Sequence, residues 1–384
     1  MVLFEDKKDC CGCTACASIC STKAIAMQPD ALGFLYPQVD QDTCIECGLC
    51  EKVCAFQNEF DHRLNLQDPL AYAVRHKDMQ EVETSRSGAM FIAISDYFLE
   101  NGGVIYGVGY EDGFRVCHKK AETKEQRNEF KGSKYVQSDL RKIFSQVKKD
   151  LKEGLKVVFS GTPCQTAGLM SFLGKSYRSN LFLVDIVCHG VPSPYIWRDY
   201  LSYIETRYKQ KIISVNFRDK SLGWADHKES FIFSNSKKII RETFTHLFFK
   251  HVMIRPSCGN CKYANINRPS DITIADFWGW EKTDKNFNSD DKGCSLVFLN
   301  TEKGLFVWEE IKNQINYISA KLKNCLQPNL ISPTDLDPKS QSFYRDYEEK
   351  GFLYIAKHYG DFGWKIRLKT LIRRLLSIIK RINK

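Results

Sequence analysis

Two cysteine runs of identical spacing open this chain and limit what it can fold into. Cys10, Cys13, Cys16 and Cys20 follow C-x2-C-x2-C-x3-C, and Cys44, Cys47, Cys50 and Cys54 repeat the pattern. Nine of the sixteen cysteines fall within the first 54 residues, where long apolar runs are few, so bound metal has to act as the core of that stretch. A secreted disulfide framework does not fit, because the charged start Met1-Val2-Leu3-Phe4-Glu5-Asp6-Lys7-Lys8 has no apolar signal-peptide region. No apolar run approaches the ~18 residues that span a bilayer. The expectation is a cytoplasmic protein, where thiols stay reduced and clustered cysteines hold metal or do redox chemistry.

The spacing is that of bacterial two-cluster ferredoxins, in which three cysteines of a run bind one [4Fe-4S] cubane and the fourth crosses to the other. The first cubane would take Cys10, Cys13, Cys16 and Cys54, and the second Cys44, Cys47, Cys50 and Cys20. Gly12 and Gly48 would allow the tight backbone. Two structural zinc sites are the alternative, but these favour paired C-x2-C knuckles. Ser21 and Ala55 replace the proline of the ferredoxin pattern without removing a ligand. Cys11 is out of register and reads as a bystander. Radical S-adenosylmethionine chemistry would need C-x3-C-x2-C, which neither run contains.

From Leu70 the pattern changes to apolar strands alternating with amphipathic helices. Segments 71–74, 103–108, 155–159, 181–187, 271–275 and 295–299 read as strands, and 89–99 has helical spacing. The expected fold is an α+β ferredoxin-like two-cluster module followed by an α/β body with a mixed, mainly parallel sheet. The expected boundaries are 1–62 for the module, 63–152 and 153–327 for two parts of the body, and 328–384 for a linker and C-terminal helix. Cys164 and Cys188 each follow a strand, and Cys258-x2-Cys261 precedes another. Ligands collect at the carboxyl ends of parallel strands, so these four thiolates are candidates for a third [4Fe-4S] cluster. Buried structural cysteines, or zinc on Cys258 and Cys261 alone, remain open alternatives.

Several ordered motifs accompany these cysteines: Ser85-Arg86-Ser87-Gly88, Lys131 to Asp139, Gly161-Thr162-Pro163-Cys164-Gln165, Cys188-His189-Gly190-Val191-Pro192, Phe217-Arg218-Asp219-Lys220, Arg255-Pro256-Ser257-Cys258, and Ser270 to Gly279. With them the chain resembles the coenzyme F420 hydrogenase/dehydrogenase beta-subunit family, from the ferredoxin motif to about residue 325. The resemblance implies FAD in the body, clusters exchanging electrons with it, and the third cluster on Cys164, Cys188, Cys258 and Cys261. Its candidate flavin contacts are Ser87, Gly88, Lys134, Tyr135, Gln137 and Thr162. Ser87 and Gly88 precede the helix at 89–99, whose N-terminus suits a phosphate. The family usually has two glycines there, and this chain has Ala89 in the second place. His189 lies in one of these motifs and Trp224 shortly after another, but no catalytic residue is nominated.

Eight of the ten surplus positive charges fall in residues 364–384, at the polar positions of an amphipathic helical pattern, so the rest of the chain carries only +2. An oxidised cubane with four thiolates adds about −2 each. The body is therefore mildly acidic and the tail basic, suited to peripheral contact with the inner face of a membrane or to a partner subunit. No nucleic-acid partner is expected. The sequence reads as a flavin- and iron-sulfur-dependent oxidoreductase linking a ferredoxin or redox partner subunit to an organic or deazaflavin substrate. The alternative is an electron-transfer relay subunit without a substrate site of its own.

Overall fold

The structure is a computed structural model and describes residues 3–363. The basic tail, 364–384, lies outside the described residues. Thirteen strands are described. Strands β1 (Ile25–Pro29) and β2 (Leu35–Val39) form an antiparallel hairpin inside the cysteine module. Next come β3 (Asn65–His76), β4 (Val104–Glu111), β5 (Arg115–Ala121), β6 (Val157–Gly161) and β7 (Leu181–Ile186). A small antiparallel sheet follows, of β8 (Ile212–Asn216), β9 (Glu229–Phe233) and β10 (Lys238–Arg241). The chain then adds β11 (Ile272–Asp276), β12 (Ser295–Thr301) and β13 (Ile315–Ala320).

The main sheet has eight strands in the order β13-β3-β12-β11-β7-β6-β4-β5. It is mixed, as expected, but three of its seven pairings are parallel and four antiparallel. "Mainly parallel" therefore holds only for the centre, where β11, β7, β6 and β4 run side by side. The reason is visible in the sequence: β6 and β7 are almost uniformly buried, as strands covered on both faces must be. The flanking strands β5 and β13 mix buried and exposed residues, which an antiparallel edge tolerates.

Helices cover this centre. Met90–Glu100 buries Met90, Ala93, Ile94 and Phe98 against it. Pro163–Leu173 starts immediately after β6, with Pro163 in the first turn, where a missing N–H costs nothing. Thr162 N donates to Gln165 Oε1 at 3.0 Å and closes that helix start. The result places Thr162, Cys164 and Cys188 at one edge of the sheet, beyond the carboxyl ends of adjacent parallel strands.

Residues 328–338, expected as a linker, are instead a packed strap. Asn329, Leu330 and Thr334 are buried, and Thr334 Oγ1 donates to the His189 carbonyl at 2.9 Å. A helix at Ser340–His358, bent at Gly351 (φ 73°), follows and packs on helix Pro194–Tyr208. Among the described residues no helix is long and apolar enough to cross a membrane.

Candidate metal centre and adjoining cavity

The two cysteine runs fold alike. Each has left-handed residues two and four positions after its first cysteine: Gly12 (φ 71°) and Thr14 (65°) in one, Glu46 (51°) and Gly48 (70°) in the other. A short helix follows in each, Ala15–Ile19 and Leu49–Lys52. Gly12 and Gly48 are thus not equivalent positions. Each run uses glycine at only one of its two strained sites, and Thr14 and Glu46 take on the strain at the other.

Cys10, Cys13, Cys16 and Cys54 line one small void, which Cys11 and Cys50 also border. Cys20, Cys44, Cys47 and Cys50 line a second. Each void thus has around it the four cysteines that the crossing pattern would group. Among the described residues no three His, Cys, Asp or Glu side chains converge as the ligands of a single metal ion do. A cubane holds its thiolates around a four-iron core, farther apart than the ligands of one zinc. The cysteines around each void, which include the four of one expected quartet, fit that group.

The third quartet also comes together. Cys258 interacts electrostatically with Cys188, Cys164 and Cys261, and Cys188 with Cys164 and Cys261. Burial pushes the thiols of Cys188 and Cys261 up to about 12 and about 11, and that of Cys258 well up. Cys164 goes the other way, to about 7, because hydrogen bonding from Cys11 and then from Thr162, 3.2 Å away, outweighs burial. Four half-buried cysteines whose thiolates would repel one another are the donor set a cationic iron-sulfide core compensates.

Two arginines that sequence reasoning missed hold these segments together. Arg255 is fully buried and donates to the Cys10 carbonyl (2.9 Å), Gln137 Oε1 (2.9 Å) and the Leu35 carbonyl (3.0 Å). Its guanidinium also stacks over Tyr36, 4.0 Å from the ring centroid. Arg268 donates to the carbonyls of Tyr263 (2.6 Å) and Ile186 (2.8 Å) and pairs with buried Asp185 at 3.3 Å. It thereby ties the strand before Cys188 to the loop after Cys261. Tyr263 adds a hydrogen bond to the Ala55 carbonyl (2.5 Å), which locks the end of the cysteine module to the body.

Beyond the third quartet lies a cavity of about 480 Å³, a size usual for cofactor sites. Cys188 lines it, with Ser87, Ala89, Met90, Lys134, Tyr135 and Thr162. Ile186, Phe249 and Trp278 supply exposed apolar surface, and the start of helix Met90–Glu100 has no side-chain cap. Ala89 sits at φ 64°, a conformation natural to glycine. Lys134 folds back on its own loop, donating to the carbonyls of Glu129, Lys131 and Gly132. Burial lowers it to about 8, against the pull of Glu129.

Two expected flavin contacts are corrected. Gly88 is a packing glycine: a Cβ there would lie 2.0 Å from the Val74 carbonyl, and its N–H is already donated to Ser295 Oγ at 2.9 Å. Gln137 faces the cysteines, donating to the Cys11 carbonyl (3.1 Å) while holding Arg255. Trp224 is buried behind Trp278, stacked at 4.5 Å, and Trp278 is the ring that lines the cavity. Arg86 and Arg218 share Asp276 on the same wall, and both donate to the Trp224 carbonyl. His189 lies between Asn329 Oδ1 (2.9 Å from Nδ1) and His251 Nε2 (2.8 Å from Nε2). An apolar slot beside a helix N-terminus and two arginines fits a planar ring carrying phosphates.

The fold and the cysteine quartets define an iron-sulfur protein of the oxidoreductase class. Residues 154–323 match the model for the C terminus of the coenzyme F420 hydrogenase/dehydrogenase beta subunit, and residues 9–58 that of a 4Fe-4S dicluster domain. Over its body the chain is similar to the coenzyme F420 hydrogenase/dehydrogenase beta-subunit family, and a ferredoxin-type domain lies ahead of that body. No curated protein matches it. Among solved structures it is similar to a chain of the F420-reducing [NiFe] hydrogenase complex from Methanosarcina barkeri. That match has 18% identity and a TM-score of 0.45, and covers 76% of this chain and 94% of the other.

Proposed function

We propose that this chain is a flavin- and iron-sulfur-dependent oxidoreductase. It passes electrons between two ferredoxin-type clusters, a third cluster and FAD, and from there to or from an organic or deazaflavin substrate. The observation that carries the reading is the position of Cys188, which belongs to the third quartet and also lines the large cavity. Cysteine sites therefore lead inward from exposed Cys47 through the first run to the cavity wall.

A flavin in the cavity supplies the exchange between single electrons and hydride that clusters alone cannot make. The protein's part is to hold and exclude. Ile186, Phe249 and Trp278 would cover ring faces and keep water out, while the start of helix Met90–Glu100 and Arg86 would take phosphate charge. Electrons would enter or leave at the second run, where exposed Ile45 and Leu49 flank Cys47 and suit a ferredoxin or a redox subunit.

Anaerobic purification with iron, sulfide and flavin quantified per chain tests this. About twelve irons and one flavin are expected. About eight irons would remove the third cluster, and absence of flavin would remove the mechanism. If the flavin-loaded chain reduces no organic or deazaflavin acceptor and exchanges electrons only with a co-purifying protein, it is a relay subunit.

A further inference from the structure

Ser138, in the motif at Lys131 to Asp139, lines the cavity, and two side chains hold its hydroxyl from behind. His118 Nδ1 lies 2.9 Å from Ser138 Oγ, and Gln165 Nε2 lies 3.0 Å from it. Each of these is tied in turn to backbone at the end of β6. Gln165 Oε1 accepts from the Thr162 N–H at 3.0 Å, and His118 Nε2 lies 3.1 Å from the Ser160 carbonyl. The four bonds make one chain, Thr162 to Gln165 to Ser138 to His118 to Ser160, with a backbone group at each end. Ser160, Thr162 and Gln165 also line the cavity. His118 sits behind them at 3% exposure, stacked on Phe159 at 5.2 Å.

The two ends fix the direction of every hydrogen between them. A backbone N–H can only donate, so Gln165 presents its oxygen to Thr162 and its NH2 group to Ser138. A carbonyl can only accept, so the hydrogen of the His118 ring is on Nε2. Burial lowers this imidazole to about 4 and keeps it neutral, which leaves Nδ1 a bare acceptor. Ser138 therefore gives its hydrogen to His118, takes one from Gln165, and has a single lone pair left for the cavity. At this point the wall accepts a hydrogen bond and offers none. A phosphate or carbonyl oxygen finds no donor in Ser138, whereas an N–H finds a partner. The same stretch of wall adjoins the third quartet, since Thr162 Oγ1 is 3.2 Å from Cys164 Sγ and Gln165 follows Cys164 in the chain. Flavin-type rings carry hydrogen, when reduced, on nitrogens that are bare when oxidised, and hydrogen bonds to ring nitrogens tune such cofactors.

We propose that Ser138 is an acceptor-only contact for a ring N–H, oriented by His118 and Gln165, and that it favours the reduced form of a flavin-type ring in the cavity. Ser138 touches the ring, while His118 and Gln165 act through it and are positioning residues. Ser138 supplies neither electron nor proton: its hydrogen stays on the bond to His118, the electrons come from the clusters and the added proton from solvent. The proposal rests on the flavin reading above.

The test uses the full chain, purified anaerobically and saturated with FAD, as wild type, Ser138→Ala, Ser138→Thr and His118→Phe. The flavin midpoint is read by spectroelectrochemical titration. One neutral hydrogen bond lost from the reduced form alone changes the ratio of the two FAD affinities about tenfold, so Ser138→Ala should lower the two-electron midpoint by about 30 mV. Ser138→Thr keeps the oxygen and should stay near wild type. His118→Phe keeps a ring against Phe159 but frees the serine hydrogen to turn into the cavity, and should lower the midpoint at least as far. An unmoved midpoint in Ser138→Ala overturns the proposal. A raised one reverses the polarity of the chain and overturns it equally. A midpoint lowered in Ser138→Ala but not in His118→Phe overturns the orienting role of His118. The two serine variants decide the contact whether or not His118→Phe folds. A wild-type protein that takes up no FAD fells the flavin reading, and this proposal with it, before any variant is titrated.

Discussion

The two cysteine runs have the same spacing and the same backbone, yet they live in different surroundings. In the first, Cys11 and Cys13 are buried, Arg255 caps the Cys10 carbonyl, and helix Pro163–Leu173 leaves no room over Cys13. In the second, Cys47 is exposed, Ile45 and Leu49 are 65% and 40% exposed, and nothing lies within 4 Å of a Cβ built on Gly48. Local geometry was set by cysteine spacing and left-handed turns. What the body covers was set by which run it reached. One run faces the interior and the other faces outward.

The largest expected effect comes from cutting the anchor of the buried run. Arg255→Met leaves the carbonyls of Cys10 and Leu35 without their donor and should cost about 3–5 kcal/mol. Thermal unfolding and iron per chain would show it, with iron lost from the first and third sites. Iron lost equally from all sites, or a melting temperature within a degree of wild type, would contradict the asymmetry.

A smaller contrast uses the two glycines. Gly48→Ala meets only the left-handed strain, about 1–2 kcal/mol. Gly12→Ala adds close contacts with Arg255 Nη1 at 2.9 Å and the Leu35 carbonyl at 3.0 Å, and should cost about 3 kcal/mol or more. Equal losses in melting temperature for the pair would mean that the body does not press on the first run.

The smallest effect is a gain. Glu46 is exposed at φ 51°, so Glu46→Gly should stabilise by up to about 1 kcal/mol, the strain relieved less the added freedom of the unfolded chain. The equivalent Thr14→Gly should give no such gain, because Thr14 is buried and its removal leaves a void. Matching melting curves for the two variants would break the comparison at its finest level.

Much of this molecule can be read from its residues, and the unread part has identifiable reasons. The central strands announced themselves as short apolar runs, and all six expected strand segments overlap strands of the sheet. Edge strands β13 and β8 did not, because half-exposed strands carry weak patterns. Gly88 was misread because a glycine that lets two backbones touch looks the same in sequence as one that cradles a phosphate. Arg255 and Arg268 were missed because a lone arginine has no period or spacing. The nearby Arg255-Pro256-Ser257-Cys258 motif was the one signal that could have drawn attention to the first.

The sequence by itself determined that two cysteine quartets form and how each run turns, because ligand spacing and local dihedral angles are short-range properties. It also determined that parallel strands deliver Cys164 and Cys188 to one edge, since each cysteine follows its strand directly. Only the tertiary structure decided that Cys11 and Cys13 pack in one apolar cluster with Cys164, that Gln137 serves the cysteines rather than the cavity, and that the strap at 328–338 packs beside His189. Those are contacts between residues tens to hundreds of positions apart, and packing, not spacing, chooses them.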